Sequence, residues 1–138
     1  MAVFANFIAG EWIEGASATP NINPSDTNDV IGDYASASLQ QVSDAAAAAR
    51  SAFPAWSRTT AQVRGDILAA AADEMFARKA ELGELLSREE GKTLPEGIGE
   101  VIRASQVMRF FAGEALRLKG ERLPPVRPGV EVEITREP

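Results

Sequence analysis

Glu89-Glu90-Gly91-Lys92-Thr93-Leu94-Pro95-Glu96 is the stretch on which the reading of this chain turns. A glycine after a charged run closes a helix, and a proline is tolerated in the first turn of the next one. The stretch therefore reads as a helix end, a short turn and a new helix start. Before it, Leu82, Leu85 and Leu86 mark a short third helix ended by Gly91. After it, Ile98, Val101, Ser105, Met108, Ala112 and Ala115 recur at helical steps. They predict a fourth helix of about 24 residues, closed by Gly120. Gly97 and Gly99 lie in its first turns at a cost of roughly 1 kcal/mol each relative to alanine, which points to close backbone approach.

Two further helices precede this pair. Ser38 with Gln41 forms a capping-box pattern. Leu39, Val42, Ala46, Ala49 and Phe53 follow on one face, and Pro54 is expected to stop the helix. The Ala45–Ala49 tract reads as high helix propensity and close packing. Thr59 with Gln62 repeats the capping pattern and opens a helix with Val63, Ile67, Ala71 and Met75 as its apolar stripe. Both ends of the chain read as strand. Phe7-Ile8 and Trp12-Ile13 flank Ala9-Gly10 as a hairpin. Asn21 to Asn28 is a turn or loop, and Val30-Ile31 and Tyr34 suit a second strand pair with Gly32 at a bulge. Near the other end Val130, Val132 and Ile134 alternate with Glu131, Glu133 and Thr135, the signature of a strand. No partner for that strand is evident and the chain stops at Pro138, so the sequence reads as cut rather than finished. The fold class is α+β.

The 138 residues carry 14 basic and 20 acidic side chains, a formal charge of -6, with 45% hydrophobic content. That balance disfavours nucleic acid and anionic membranes as partners. Apolar runs are too short to span a bilayer, and Met1–Glu14 lacks the basic start of a signal peptide. The cytoplasm is the default expectation. The chain has no Cys and no His, so disulfides, thiol nucleophiles and Cys/His zinc sites are excluded within it. It also lacks a GxGxxG turn, a Walker loop and a G-x-S-x-G elbow.

Three features carry chemistry, each with a plainer alternative. Glu89-Glu90 at a helix end offers oxygen ligands to a hard cation, or only a solvated helix end. Gly99, Arg103, Gln106 and Phe110 form a stripe turned away from the fourth helix's apolar seam. It is either a polar face with Arg103 solvated or paired, or a channel wall where the guanidinium meets an anionic substrate. The acidic alternating strand is either solvated or an edge for assembly.

Asn6-Phe7-Ile8-Ala9-Gly10-Glu11-Trp12, Asn21-Ile22-Asn23-Pro24, Glu90 to Glu96, Arg109-Phe110-Phe111-Ala112-Gly113-Glu114 and Arg136-Glu137-Pro138 occur in that order. Together they resemble the amino-terminal part of the NAD(P)-dependent aldehyde dehydrogenase family. The run from Lys92 to Glu114 is most similar to the branch oxidising α-ketoglutarate semialdehyde (2,5-dioxopentanoate). The resemblance implies a parent α/β enzyme of Rossmann type. Residues 1–120 would supply the amino-terminal part of its cofactor-binding domain and residues 121–138 the start of an oligomerisation arm, with the catalytic domain absent. In that family a cysteine thiolate attacks the aldehyde, hydride passes to NAD or NADP, and an activated water hydrolyses the thioester. The cysteine, the glutamate base, the oxyanion asparagine and the cofactor turn all have no counterpart here, so the chain alone is expected to be inactive. The resemblance also implies a substrate-channel position for Gly99 and Arg103. It implies a structural K+ or Na+ site at Glu89 with the carbonyls of Asn21 and Ile22, and a homo-oligomer, dimer or tetramer. The competing expectation is a free-standing interaction module that pairs through its terminal strand.

Overall fold

The computed structural model describes residues 3–137, so Met1, Ala2 and Pro138, which the two domain assignments include, lie outside the described residues. The elements run β1 (Val3–Phe4), β2 (Asn6–Ile8), β3 (Glu11–Ile13), β4 (Ser17–Ile22), β5 (Val30–Ser36), α1 (Leu39–Trp56), α2 (Ala61–Ala77), α3 (Lys79–Glu90) and α4 (Leu94–Glu114). A 3-10 turn (Ala115–Arg117), β6 (Glu121–Leu123) and β7 (Val132–Ile134) complete the chain.

β2 and β3 pair antiparallel around Ala9-Gly10, both with positive φ, as a two-residue hairpin turn requires. Phe7 opposes Trp12 with ring centroids 5.0 Å apart. The second sheet has the order β1-β5-β4. Val30–Ser36 is one continuous strand rather than a pair, and its antiparallel partner is Ser17–Ile22, which carries no sequence signal. Pro20 is tolerated there because β4 is an edge strand. The register shift falls between Asn21 and Ile22, so Ile31 is passed over beside Gly32.

α1 has the full Ser38–Gln41 capping box, with Ser38 N–H donating to Gln41 Oε1 at 2.8 Å. It does not stop at Pro54 but runs to Trp56. The missing proline N–H falls in the last turn, where Ser57 N–H still reaches the Phe53 carbonyl at 2.8 Å. No residue of α1 is buried, and Leu39 at its start is 92% exposed. α2 is capped by Thr60 rather than Thr59: Val63 N–H donates to Thr60 Oγ1, while Thr59 Oγ1 donates back to Trp56 O. Its packed face also differs from the expected stripe. Gly65 and Ala72 are buried, whereas Val63 and Ile67 are 45% and 50% exposed. A Cβ on Gly65 would lie 2.9 Å from the Ala112 carbonyl oxygen, so the helices meet through their smallest residues.

α3 ends at Gly91 with φ 72, as expected. α4 begins with a Thr93–Glu96 capping box and proline in its first turn. Its α-helical part ends at Glu114, and the 3-10 turn carries it to Arg117, short of Gly120. The seam holds: Val101 and Ser105 are buried between α2 and α3. The two early glycines differ. A Cβ on Gly97 would run into Ser87 Oγ and the Gly83 carbonyl, whereas one on Gly99 would meet nothing within 4 Å. Only Gly97 serves close approach. The terminal strand is shorter than the alternation predicts and is not alone, since Val132–Ile134 pairs antiparallel with Glu121–Leu123.

Candidate functional site

The β4–β5 loop docks on the end of α3 by a set of side chains that local sequence does not reveal. Asp29 accepts from Arg88 Nε at 2.8 Å and Nη2 at 2.6 Å, and from Asn23 Nδ2 at 3.1 Å. The Arg88 hydrogen bonds, then Asn23, hold the Asp29 carboxyl down at about 2. Ser25 Oγ donates to the Gly91 carbonyl at 2.8 Å. Asn21 Nδ2 donates to Glu89 Oε1 at 2.7 Å, and Tyr34 OH reaches the same oxygen at 3.4 Å. Loop and helix end are thus joined through Arg88, Glu89 and Gly91. The Asx-turn residues Asn23 and Asp26 signalled a loop in the sequence, but a pair 59 residues apart leaves no local trace.

The structure brings Glu89 and Asn21 together, through the Asn21 amide, with Ile22 next in the chain at the exposed end of β4. The chemistry there is a single carboxylate with neighbouring backbone and hydroxyl oxygens, a donor type that suits a hard monovalent ion. Among the described residues no group of three or more His, Cys, Asp or Glu gathers for a metal.

The other candidate residues lie on α4. Lys92 bridges Glu90 and Glu100, and these hydrogen bonds, that to Glu100 first, raise its pKa. Glu96 is held low by its hydrogen bonds from the Thr93 hydroxyl and N–H. All three of these acids are therefore occupied. Among the described residues Arg103 has no ion-pair or hydrogen-bond partner. It lines a cavity of about 300 Å³ with Gln106, Val107, Phe110 and Phe111. The Phe110 and Phe111 rings meet edge to face, centroids 5.3 Å apart. Gly99 is exposed one turn before Arg103, with open space where a side chain would stand. A free guanidinium in a cavity lined by aromatic side chains can receive a carboxylate on a small organic molecule. A second, larger cavity of about 360 Å³ is lined by Trp56, Ile67, Leu68, Phe111 and Leu118 and is almost wholly apolar.

The profile of the Aldehyde dehydrogenase family matches residues 12–138, and the chain belongs to that family. Among characterised relatives, "Alpha-ketoglutaric semialdehyde dehydrogenase" of Bacillus subtilis (strain 168) is 36% identical over 137 residues, 98% of this chain and 28% of the relative. "Succinate-semialdehyde dehydrogenase, mitochondrial" of Arabidopsis thaliana is 37% identical over 119 residues, 86% of this chain and 22% of the relative. Among solved structures, a betaine aldehyde dehydrogenase variant from Staphylococcus aureus in complex with NAD+ superposes with a TM-score of 0.91 at 33% identity. That match covers 97% of this chain and 28% of the other. The chain thus spans about a quarter of the length of its relatives, and its helices and short strands are one portion of the aldehyde dehydrogenase fold. No helix among the described residues is long and apolar enough to cross a membrane.

Proposed function

We propose that this chain supplies one wall of the substrate entrance in an NAD(P)-dependent dehydrogenase of small anionic semialdehydes, with α-ketoglutarate semialdehyde as the substrate. The observation that carries the reading is Arg103, unpaired among the described residues and facing a cavity floored by Phe110 and Phe111. A semialdehyde that ends in a carboxylate suits it, because the guanidinium fork donates two parallel hydrogen bonds. Gly99 leaves the approach open.

The 138 residues hold no cysteine, so by themselves they turn over no aldehyde, and the nicotinamide cofactor is bound by residues beyond them. The same reading takes residues 1–120 as part of a cofactor-binding domain and residues 121–138 as the start of a subunit-association arm in a cytoplasmic homo-oligomer. It takes Glu89, with the Asn21 and Ile22 carbonyls, as donors to K+ or Na+. A potassium-dependent gain in melting temperature that persists in Glu89→Ala would remove that assignment.

Arg103→Met in the complete enzyme tests the central claim. A charge-assisted hydrogen bond contributes about 1.5–3 kcal/mol, and exposure at a cavity mouth brings it to the low end, roughly tenfold in affinity. KM for semialdehydes ending in a carboxylate should rise about tenfold with kcat nearly unchanged, because a remote contact binds ground and transition states alike. Butanal should be unaffected. Equal losses on butanal would make Arg103 structural.

A further inference from the structure

We infer that Gln106 reads the 2-oxo group of the substrate, so that Arg103 and Gln106 together form a two-point receptor for a 2-oxo carboxylate. The inference rests on the reading of Arg103 given above and assigns a role to a residue that reading does not use.

The chain has four glutamines, and three are committed within it. Gln40 donates to Asp44 at 2.9 Å, Gln41 to the Glu14 carbonyl at 2.6 Å, and Gln62 to Asp66 at 2.7 Å. Gln106, among the described residues, makes no hydrogen bond. It stands on the wall of the cavity that holds Arg103 and is exposed there. Residues three apart on a helix carry Cβ atoms about 5–6 Å from each other, so the two side chains can meet one small ligand.

The donor inventory of the cavity selects the ligand. None of its lining residues is acidic, and the nearby carboxylates of Glu96 and Glu100 are taken by Thr93 and Lys92. The guanidinium fork engages both oxygens of a carboxylate with two parallel hydrogen bonds. The Gln106 amide is a further N–H donor less than one helical turn away, and an acceptor beside the carboxylate suits it best, clear of the oxygens the guanidinium already holds. A keto oxygen on the adjacent carbon meets that need. Succinic semialdehyde has a carboxylate but no such oxygen, whereas α-ketoglutarate semialdehyde has both. Phe110, one turn beyond Gln106, offers a flat apolar face to the methylene carbons of either.

The experiment compares Gln106→Leu and Arg103→Met in the complete enzyme on α-ketoglutarate semialdehyde, succinic semialdehyde and butanal. Leucine keeps the helix propensity of glutamine and removes its donor. Gln106→Leu should raise KM for the 2-oxo substrate roughly fivefold, the size of one neutral hydrogen bond, and leave the other two substrates within error. Arg103→Met should raise KM for both carboxylated substrates. If Gln106→Leu weakens both semialdehydes equally, or neither, the 2-oxo assignment is overturned while the Arg103 reading stands. If Arg103→Met affects none of the three, the underlying reading fails as well. Circular dichroism and melting temperature of Gln106→Leu should match the parent, since the side chain is exposed and makes no internal bond.

Discussion

Asp29 is gripped by Arg88 and Asn23 at once, and that grip has a pH signature. An aspartate in an unfolded chain titrates near ~3.9, whereas this one is held at about 2. A depressed folded value stabilises the native state above the unfolded value, and the contribution is lost as pH falls through the folded one. The melting-temperature gap between the parent chain and Asp29→Asn should therefore be widest near neutrality and close as pH drops from about 4 toward 2. Glu81 and Glu96, also held low by Arg78 and by Thr93, continue to titrate in both proteins, so the variant keeps some acid sensitivity. A gap constant from pH 7 to pH 2.5 would mean that the charge on Asp29 does not join the loop to α3.

At the level of elements, the α3–α4 crossing distinguishes two glycines that look alike in sequence. Gly97 faces Ser87 and the Gly83 carbonyl with no room for a methyl group, and the partners are backbone and a hydroxyl already donating to Gly83 O at 2.7 Å. Gly97→Ala should cost about 1–3 kcal/mol by forcing the helices apart. Gly99 opens on free space, so Gly99→Ala should stabilise by roughly 0.4–1 kcal/mol through unfolded-state entropy and helix propensity. Urea unfolding of the two variants reads both signs. The same comparison explains what was legible beforehand. The Ser38–Gln41 capping box, Gly91, the Ala9-Gly10 hairpin and the α4 seam are written in residues within a turn of each other and are found, whereas the second box expected at Thr59–Gln62 is not, since Thr60 caps α2. Strand Ser17–Ile22 is not, because five of its six residues are exposed and its hydrogen bonds come from a strand beyond a loop. The α2 face was misread because periodicity follows large apolar residues, while α2 meets α4 through Gly65 and Ala72. Of the candidate site, Arg103 and its stripe on α4 were readable from helical spacing. The Arg88–Asp29 and Glu89–Asn21 links depend on tertiary docking and were not.

For the whole molecule, the quantity that matters is surface. The chain exposes 10244 Å². Area scaling gives a compact monomer of this length only about 6900 Å², an excess of roughly 3300 Å². Among the described residues the buried apolar side chains are few, Ile8, Ala72 and Val101, while Phe7, Trp12, Leu39, Phe110, Phe111 and Leu118 are each about half exposed or more. An excess of that size on one chain is more than one partner gives to an obligate interface, about 1000–2500 Å² per side. It is spread over helices and hairpins, and the β6–β7 ribbon supplies only part of it. The isolated chain should therefore bind an apolar dye such as ANS and associate with rising concentration in sedimentation velocity. Its charge of -6 opposes association through mutual repulsion. Raising salt from about 0.01 M to 1 M shortens the screening length from roughly 30 Å to 3 Å and should shift the distribution toward larger species. A monomer that stays monomeric at both salt concentrations and leaves the dye dark would mean that these faces close on one another in solution, against the exposed area described here.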